Sequence, residues 1–277
     1  MKKILAMVLA LTTVVCTMFT VFTMSSCAKN EDEKDGKKTL VCGVTVIPGL
    51  NEKVDGKWTG FETEFAQEVG KILGMEVEFQ IIDWGQKYSE LNSGAIDCVW
   101  NGFTANSNDK LPTGGEVKRS ELVDFSYGYM LNQQCIVVRT DKLANFTSEA
   151  SLKGKKACVE GGSAGETYAK SVTDAKNVIS ATSQIKALPE VKSGAVDFAV
   201  VDIVLAQNVC GNGDYANLTI VDSIKLESEI YAVGFKKGSK LTKKVNAAIK
   251  QLEANGKLME IAKRYGFENR IKITEKI

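Results

Sequence analysis

Apolar and polar positions change rhythm along this chain in a way that predicts alternating strands and helices. Thr39 to Val46 is β-branched and apolar, ends near Gly43 to Pro48, and predicts a buried first strand. Gly60-Phe61-Glu62-Thr63-Glu64-Phe65 then opens a helix with acids in its first turn. Phe61, Phe65, Val69 and Ile72 form its apolar stripe, and Gly74 stops it. Met75 to Ile82 alternates as a strand. Trp84, Tyr88 and Leu91 recur at i, i+4 and i+7, which predicts an amphipathic helix ending at Ser93-Gly94 before an Ile96 to Trp100 strand. This is βαβαβ order and implies a mostly parallel sheet.

The theme returns in the second half. Lys155 to Val159 predicts a strand, Gly161 to Gly165 a turn, Glu166 onward a helix, and Val178-Ile179 a short strand. Pro189, beside Ile185 and Leu188, lacks a backbone donor and predicts a break or restart in the next helix. Ala195 to Val201 reads as a strand, Ile230 to Phe235 as a returning apolar run, and Val245 to Leu252 with Leu258 to Tyr265 as two C-terminal helices.

One segment occurs twice. Ser93-Gly94-Ala95-Ile96-Asp97 reappears as Ser193-Gly194-Ala195-Val196-Asp197, and each copy enters an apolar run, ending at Asn101-Gly102-Phe103-Thr104 and at Asp202 respectively. Ligands of open α/β sheets bind outside the carboxyl ends of strands, so two related lobes facing one small ligand is the favoured reading. The plainer alternative is a helix stop and strand start that any α/β chain repeats.

The N-terminus carries an address. Lys2 and Lys3 precede an uncharged run from Ile4 to Ser26, the basic start and apolar middle of a secretory signal, with a retained membrane span as the structural alternative. Met24-Ser25-Ser26-Cys27 resembles the bacterial lipoprotein signal, with Met where Leu is usual, and implies lipid on Cys27. Lys29 to Lys38 is charged at eight of ten positions and reads as a tether.

Composition narrows the chemistry. The net charge of +1 gives no basic surplus for nucleic acid. The chain has no histidine, which removes Ser-His-Asp and Cys-His nucleophile systems and the commonest transition-metal ligand. Cys42, Cys98, Cys135, Cys158 and Cys210 lack metal-site spacing and read as buried thiols, with a Cys42–Cys98 bridge as the open alternative. Neither a metal nor a cofactor is expected.

From Thr39 to about Phe267 the order of elements resembles the solute-binding proteins of polar amino acid ABC transporters, of solute-binding family 3. The motifs are Gly60-Phe61-Glu62, Ser93-Gly94 through Asp97, Asn101-Gly102-Phe103-Thr104, Arg119 with Val123-Asp124-Phe125-Ser126, Leu152-Lys153-Gly154-Lys155, Gly162-Ser163-Ala164-Gly165-Glu166, and Asp197 to Asp202. The resemblance implies an α/β type II periplasmic binding protein: two Rossmann-like lobes joined by two crossover strands. After a signal at 1–26 and a tether at 27–38, residues 39–130 and 230–277 would form one lobe and 131–229 the other. Crossings would fall near Tyr129 to Cys135 and Glu227 to Tyr231.

The resemblance also assigns roles. Arg119 would grip a ligand carboxylate as a planar fork, although Ser107 to Lys118 intervenes where the family has a few residues. Its plain alternative is a surface ion pair with Glu121 or Asp124. Asn101, Gly102 and Thr104 would offer backbone and hydroxyl groups, and Asp202 would meet the ammonium, against the alternative of a simple helix cap. Ser163 and Ala164 open a helix whose amides favour an anion, or form an ordinary turn. Trp84 is either a wall for the ligand side chain or core. Glu160 lies where the family touches that side chain, which points to a polar or basic ligand. The family's aromatic loop after the first strand is replaced by Pro48-Gly49-Leu50-Asn51.

These features imply a lipid-anchored, monomeric receptor that closes on a free amino acid and delivers it to an ABC permease and its ATPase. Two rivals share the scaffold. One is an exported cyclohexadienyl dehydratase-like enzyme using Glu160 or Asp202 as acid or base. The other is a sensory receptor.

Overall fold

The computed structural model describes residues 38–110 and 114–277. The signal, Cys27 and the tether short of Lys38 lie outside the described residues.

In the first lobe β1 (Thr39–Val44) precedes a hairpin of β2 (Glu52–Val54) and β3 (Lys57–Thr59), then α1 (Phe61–Leu73) and β4 (Glu76–Ile81). A 3-10 turn at Trp84–Gln86 leads into α2 (Lys87–Ser93) and β5 (Cys98–Val99). A second hairpin, β6 (Asn108–Lys110) with β7 (Glu116–Lys118), precedes α3 (Arg119–Leu122), β8 (Asp124–Phe125) and the long β9 (Gly128–Arg139). The second lobe runs β10 (Ala157–Glu160), α4 (Ala164–Val172), β11 (Val178–Ala181), α5 (Gln184–Ser193), β12 (Phe198–Asp202), α6 (Ile203–Val209) and β13 (Leu218–Ile220). The chain returns through β14 (Ser228–Tyr231) and β15 (Gly234–Phe235) to α7 (Lys240–Ala254), α8 (Lys257–Arg264) and β16 (Ile271–Thr274).

Two sheets result. One has the order β4-β1-β5-β15-β8 and the other β11-β10-β12-β9-β13. Strand β1 is parallel to β4 and β5, and β10 to β11 and β12, as expected when helices make the crossovers. Strand β9 reaches the second sheet with its later half, while Gly128 to Gln133 pairs with β14 on one side and β16 on the other. Chain crossings therefore lie on β9 and β14, and the C-terminal strand reinforces the first of them.

The repeated pentapeptide folds the same way in both lobes. Gly94 and Gly194 cap α2 and α5 at φ of 76° and 80°, the left-handed region that glycine adopts without strain. Ser93 and Ser193 Oγ each donate 3.0 Å to the carbonyl three residues back. Asp97 Oδ2 accepts from Val41 N and Asp197 Oδ2 from Lys156 N, both at 2.8 Å, so each aspartate clips a strand entrance to its neighbour.

Several sequence expectations need correction. Trp84 is not on the helix with Tyr88 and Leu91: it opens a separate turn, because the Asp83 side chain accepts from Gly85 N and caps that turn. Helix α5 runs through Pro189 without a break. Pro189 faces solvent while Ala187, Leu188 and Val191 are buried, so packing offsets the missing donor. The Ile96 to Trp100 strand shortens to β5. Both hairpins and β16 were not anticipated.

Glu62 is not a solvated first-turn acid. It is fully buried and accepts from Tyr129 Oη at 2.5 Å, Asn51 Nδ2 at 2.8 Å and Gly102 N at 2.9 Å. It thus ties α1 to the loop after β5 and to crossing strand β9. Burial lifts its carboxyl to about 7 against the pull of these donors. Around it Phe65 meets Trp100 and Tyr129 edge-on at 5.2 and 5.3 Å. Truncating Phe65 to Ala would cost about 3–5 kcal/mol.

Candidate functional site

Strand ends supply the site. Asn101 to Thr104 follow β5, Glu160 ends β10 and Asp202 ends β12. These residues, together with Trp84, Arg119, Ser163 and Ala164, line one narrow cavity, and Gln134 and Gln184 complete its wall. The structure thus brings together every ligand-site residue singled out from the sequence. A larger, more open groove adjoins it, sharing Thr104, Gln134 and Ala164.

Arg119 is 1 % exposed, so it is no surface arginine. Its Nε donates to Asp109 Oδ1 at 2.8 Å and its Nη1 to the Thr104 carbonyl at 3.2 Å, while Nη2 has no partner. The planar fork is thus partly engaged, with one buried donor left for a ligand. Asp109 comes from the β6–β7 hairpin, the segment between Thr104 and Arg119. Burial pushes its carboxyl upward, but Arg119 and Lys87 outweigh that and hold it below the usual carboxylate range.

Lys87 was missed by sequence reasoning because helical spacing makes it one more polar position. It is 2 % exposed, stacks 4.7 Å over Tyr88 and donates to the Gly162 carbonyl of the other lobe at 3.0 Å. Burial lowers its pKa to about 8, with Arg119 adding to the effect. The lobes are therefore closed on each other in this structure. Farther out, Arg270 meets Gln207 at 2.7 Å across the same boundary.

Asp202 occupies the N-cap position of α6 but its side chain makes no capping bond. Oδ1 accepts instead from Asn132 at 2.9 Å and Gln134 at 2.5 Å, and Oδ2 from Gln184 at 2.6 Å. Burial raises its pKa despite these donors. Glu160 is 2 % exposed with Oε1 unpartnered. Burial lifts its carboxyl to about 8, Asp202 repels it further, and Lys87 partly offsets both.

The remaining residues have framework duties. Asn101 Oδ1 accepts from Thr45 N and Oγ1, and its Nδ2 returns to the Thr45 carbonyl, so that side chain is spent on holding β1. Gly102 sits at φ 56°, and a Cβ there would lie 3.0 Å from Tyr231. Ser163 caps α4 by accepting from Glu166 N at 3.0 Å, while Glu166 accepts from Gly162 N at 2.8 Å, a reciprocal pair. Trp84 lines the cavity and also packs edge-on to Phe103 at 5.3 Å, so it belongs both to the cavity wall and to the core. Leu50 and Asn51 are buried within the first lobe, and no aromatic side chain stands in that loop. Cys42, Cys135, Cys158 and Cys210 are free thiols, and Cys98 Sγ donates to Cys42 Sγ at 3.6 Å.

Two α/β lobes hinged on crossing strands, with polar groups of both signs converging on a closed cavity, define a two-lobed receptor for a small polar solute. Residues 45–269 match the family of bacterial extracellular solute-binding proteins, family 3, and the chain belongs to that family. It is 30% identical over 253 residues to the arginine-binding extracellular protein ArtP of Bacillus subtilis (strain 168), covering 88% of this chain and 92% of that one. It is 28% identical to the L-cystine-binding protein TcyA of the same organism, over 78% of this chain and 75% of the relative. Among solved structures it resembles an ancestral arginine-binding protein bound to arginine, with a TM-score of 0.72 and 31% identity over 83% of this chain and 98% of the other.

Proposed function

We propose that the protein is an extracytoplasmic receptor that closes on a polar or basic amino acid and presents it to an ABC permease and its ATPase. The observation that carries this reading is a pair of buried, unsatisfied groups of opposite sign in one cavity. Arg119 Nη2 lacks an acceptor and Glu160 Oε1 lacks a donor. Leaving a buried polar atom unpaired costs about 1–3 kcal/mol, so a ligand supplying both partners is strongly favoured.

In this reading the ligand carboxylate takes Arg119 Nη2 and the amides at the start of α4. The α-ammonium takes Asp202 and the Thr104 region. The side chain lies along Trp84 toward Glu160, whose charge suits a cationic or hydrogen-bond-donating group. Arginine is the first candidate, supported by the names of the relatives above. The Cys27 motif supports a lipid anchor that keeps the receptor beside its permease, with the charged segment after it as the tether. The receptor acts as a monomer and performs no chemistry on its ligand.

One observation keeps the enzyme reading in view: burial lifts the Glu160 carboxyl to about 8 in the unliganded site, the range of a general acid, whereas a cationic ligand side chain would draw it to the charged form. A solved relative described as an ancestral amino acid-binding precursor of cyclohexadienyl dehydratase, 27% identical with a TM-score of 0.71, shares the scaffold. A thermal-shift screen of the twenty amino acids plus cystine and ornithine, paired with a turnover assay on prephenate and arogenate, separates the readings. Ligand at 100 times its Kd should add about 2.7 kcal/mol of stability. Turnover, or no amino acid raising the midpoint, would sink the receptor assignment.

A further inference from the structure

Glu229 stands beside the site without belonging to the set the sequence picked out. It lies on β14, the returning crossing strand, and is 8 % exposed. Its Oε2 accepts from Asn132 Nδ2 at 2.6 Å and Gln134 Nε2 at 3.0 Å. The same two nitrogens donate to Asp202 Oδ1. Two buried carboxylates from different strands therefore meet across one pair of amides, and among the described residues no cation is hydrogen-bonded to either.

Their positions differ in a telling way. Asp202 lines the closed cavity, Glu229 lines the open groove, and Gln134 lines both. Beside the pair, Asn132 Oδ1 is buried without a partner and is an acceptor awaiting a donor, while the Tyr231 hydroxyl faces Asp202. The surroundings are thus short of N–H groups, which an ammonium supplies three at a time.

We propose that Glu229 is a second ligand-selecting carboxylate: with Asp202 it forms a two-acid seat that retains a proton when empty and releases it when the ligand's ammonium arrives. The proposal rests on the amino acid reading above and deepens it. Like charges sharing one set of donors in a buried site titrate as a pair, with one ionisation strongly opposed. An ammonium between them removes the opposition. The charged and titratable groups around the pair are Arg119, Glu160, Glu62, Tyr231 and Cys135, with Lys110 and Lys225 on the groove that Glu229 lines. Arg119 is engaged by Asp109 and Lys225 by Asp222, and among the described residues no lysine is hydrogen-bonded to either acid.

The test is calorimetry of L-arginine binding to the purified full chain at pH 6 and pH 9, in buffers of different ionisation enthalpy, so that protons released per ligand are counted. Wild type is expected to release more at pH 6 than at pH 9, and its affinity to rise with pH, by ~tenfold per unit for each proton released. Glu229→Gln should release about one proton fewer at pH 6, while Glu229→Asp should restore the release. N-acetyl-L-arginine, which lacks the ammonium, should bind weakly with no dependence on residue 229. Equal proton release by wild type and Glu229→Gln, or none by wild type, overturns the proposal and leaves the receptor reading intact. Failure of L-arginine to bind at either pH overturns both. If Glu229→Gln does not fold, the count is repeated with Glu160→Gln, in which proton release at pH 6 should persist; its complete loss there overturns the proposal.

Discussion

Buried Arg119 and half-buried Asp109 form an ion pair, Oδ1 to Nε 2.8 Å, in which an acid on a hairpin holds the arginine that follows the same hairpin. The loop between Thr104 and Arg119 thus supplies its own counter-ion, joined by Tyr88 Oη at 2.5 Å and Lys87 Nζ at 3.9 Å. Removing Asp109 leaves two buried cations without their carboxylate. Asp109→Asn should lower the unfolding free energy of the ligand-free protein by about 3 kcal/mol, read from urea denaturation. An unchanged midpoint and slope would show that solvent or another acid already serves these cations.

Glu160 should govern which side chain is accepted. Glu160→Gln is expected to weaken arginine binding by ~10- to 100-fold, the range for a charged hydrogen bond, and to leave glutamine binding nearly unchanged. Competition calorimetry with the two ligands reads the ratio directly. Equal losses for both would place Glu160 away from the side chain.

Lys87 links the lobes without a ligand. Lys87→Met removes the bond to the Gly162 carbonyl while keeping the side chain's bulk against Trp84, Tyr88 and Phe103. The ligand-free protein should then expand in small-angle X-ray scattering, and the liganded protein should not. No change in the ligand-free radius of gyration would mean that closure is held elsewhere, for instance at Arg270 and Gln207.

Glu62 makes a pH prediction with a definite sign. Its folded pKa is raised from 4.5 to about 7, so between those values the native state binds more protons than the unfolded chain. Stability contributed by this group is therefore greatest at low pH and falls as pH rises from about 4.5 toward 7. Glu62→Gln should reduce that slope by about 1 kcal/mol per pH unit between pH 5 and 6.5. Parallel stability profiles for the two proteins would exclude the assignment.

Gly102→Ala should destabilise the fold and abolish ligand binding together. The position needs φ 56°, which costs an alanine about 1–2 kcal/mol, and the new Cβ would press on the Tyr231 ring at 3.0 Å. A variant that binds normally would show that Tyr231 yields freely.

What the sequence revealed was whatever is written locally. Glycine caps at Gly74, Gly94 and Gly194, the acids at Asp97 and Asp197, and the polar ends of apolar strands all announce themselves within a few residues. The groups that escaped notice depend on pairing across the chain. Asp109 meets Tyr88 and Lys87 across the first lobe, Lys87 meets Gly162 across the cleft, and Glu229 meets Asn132 and Gln134 across two strands. A signal for the last did exist: of the run Asn132-Gln133-Gln134 in a largely apolar strand, Asn132 and Gln134 are spaced i, i+2, hence on one face, and both are buried. Buried amides at strand spacing mark a place where something charged is to be held. Glu62 escaped for the opposite reason, because a first-turn glutamate already has a sufficient local explanation.

The C-terminal strand β16 bears on how the receptor moves. The matched family region stops at residue 269, whereas β16 begins at Ile271 and pairs with Met130 and Gly128 on the crossing strand. Met130 also pairs with Tyr231 on the opposite side, so this stretch of β9 is gripped along both edges. Bending there must flex three strands rather than two. The tail thus works as a splint: the pivot is stiffened by residues that touch neither ligand nor cleft, and trimming them would tune the speed of opening without altering what is bound.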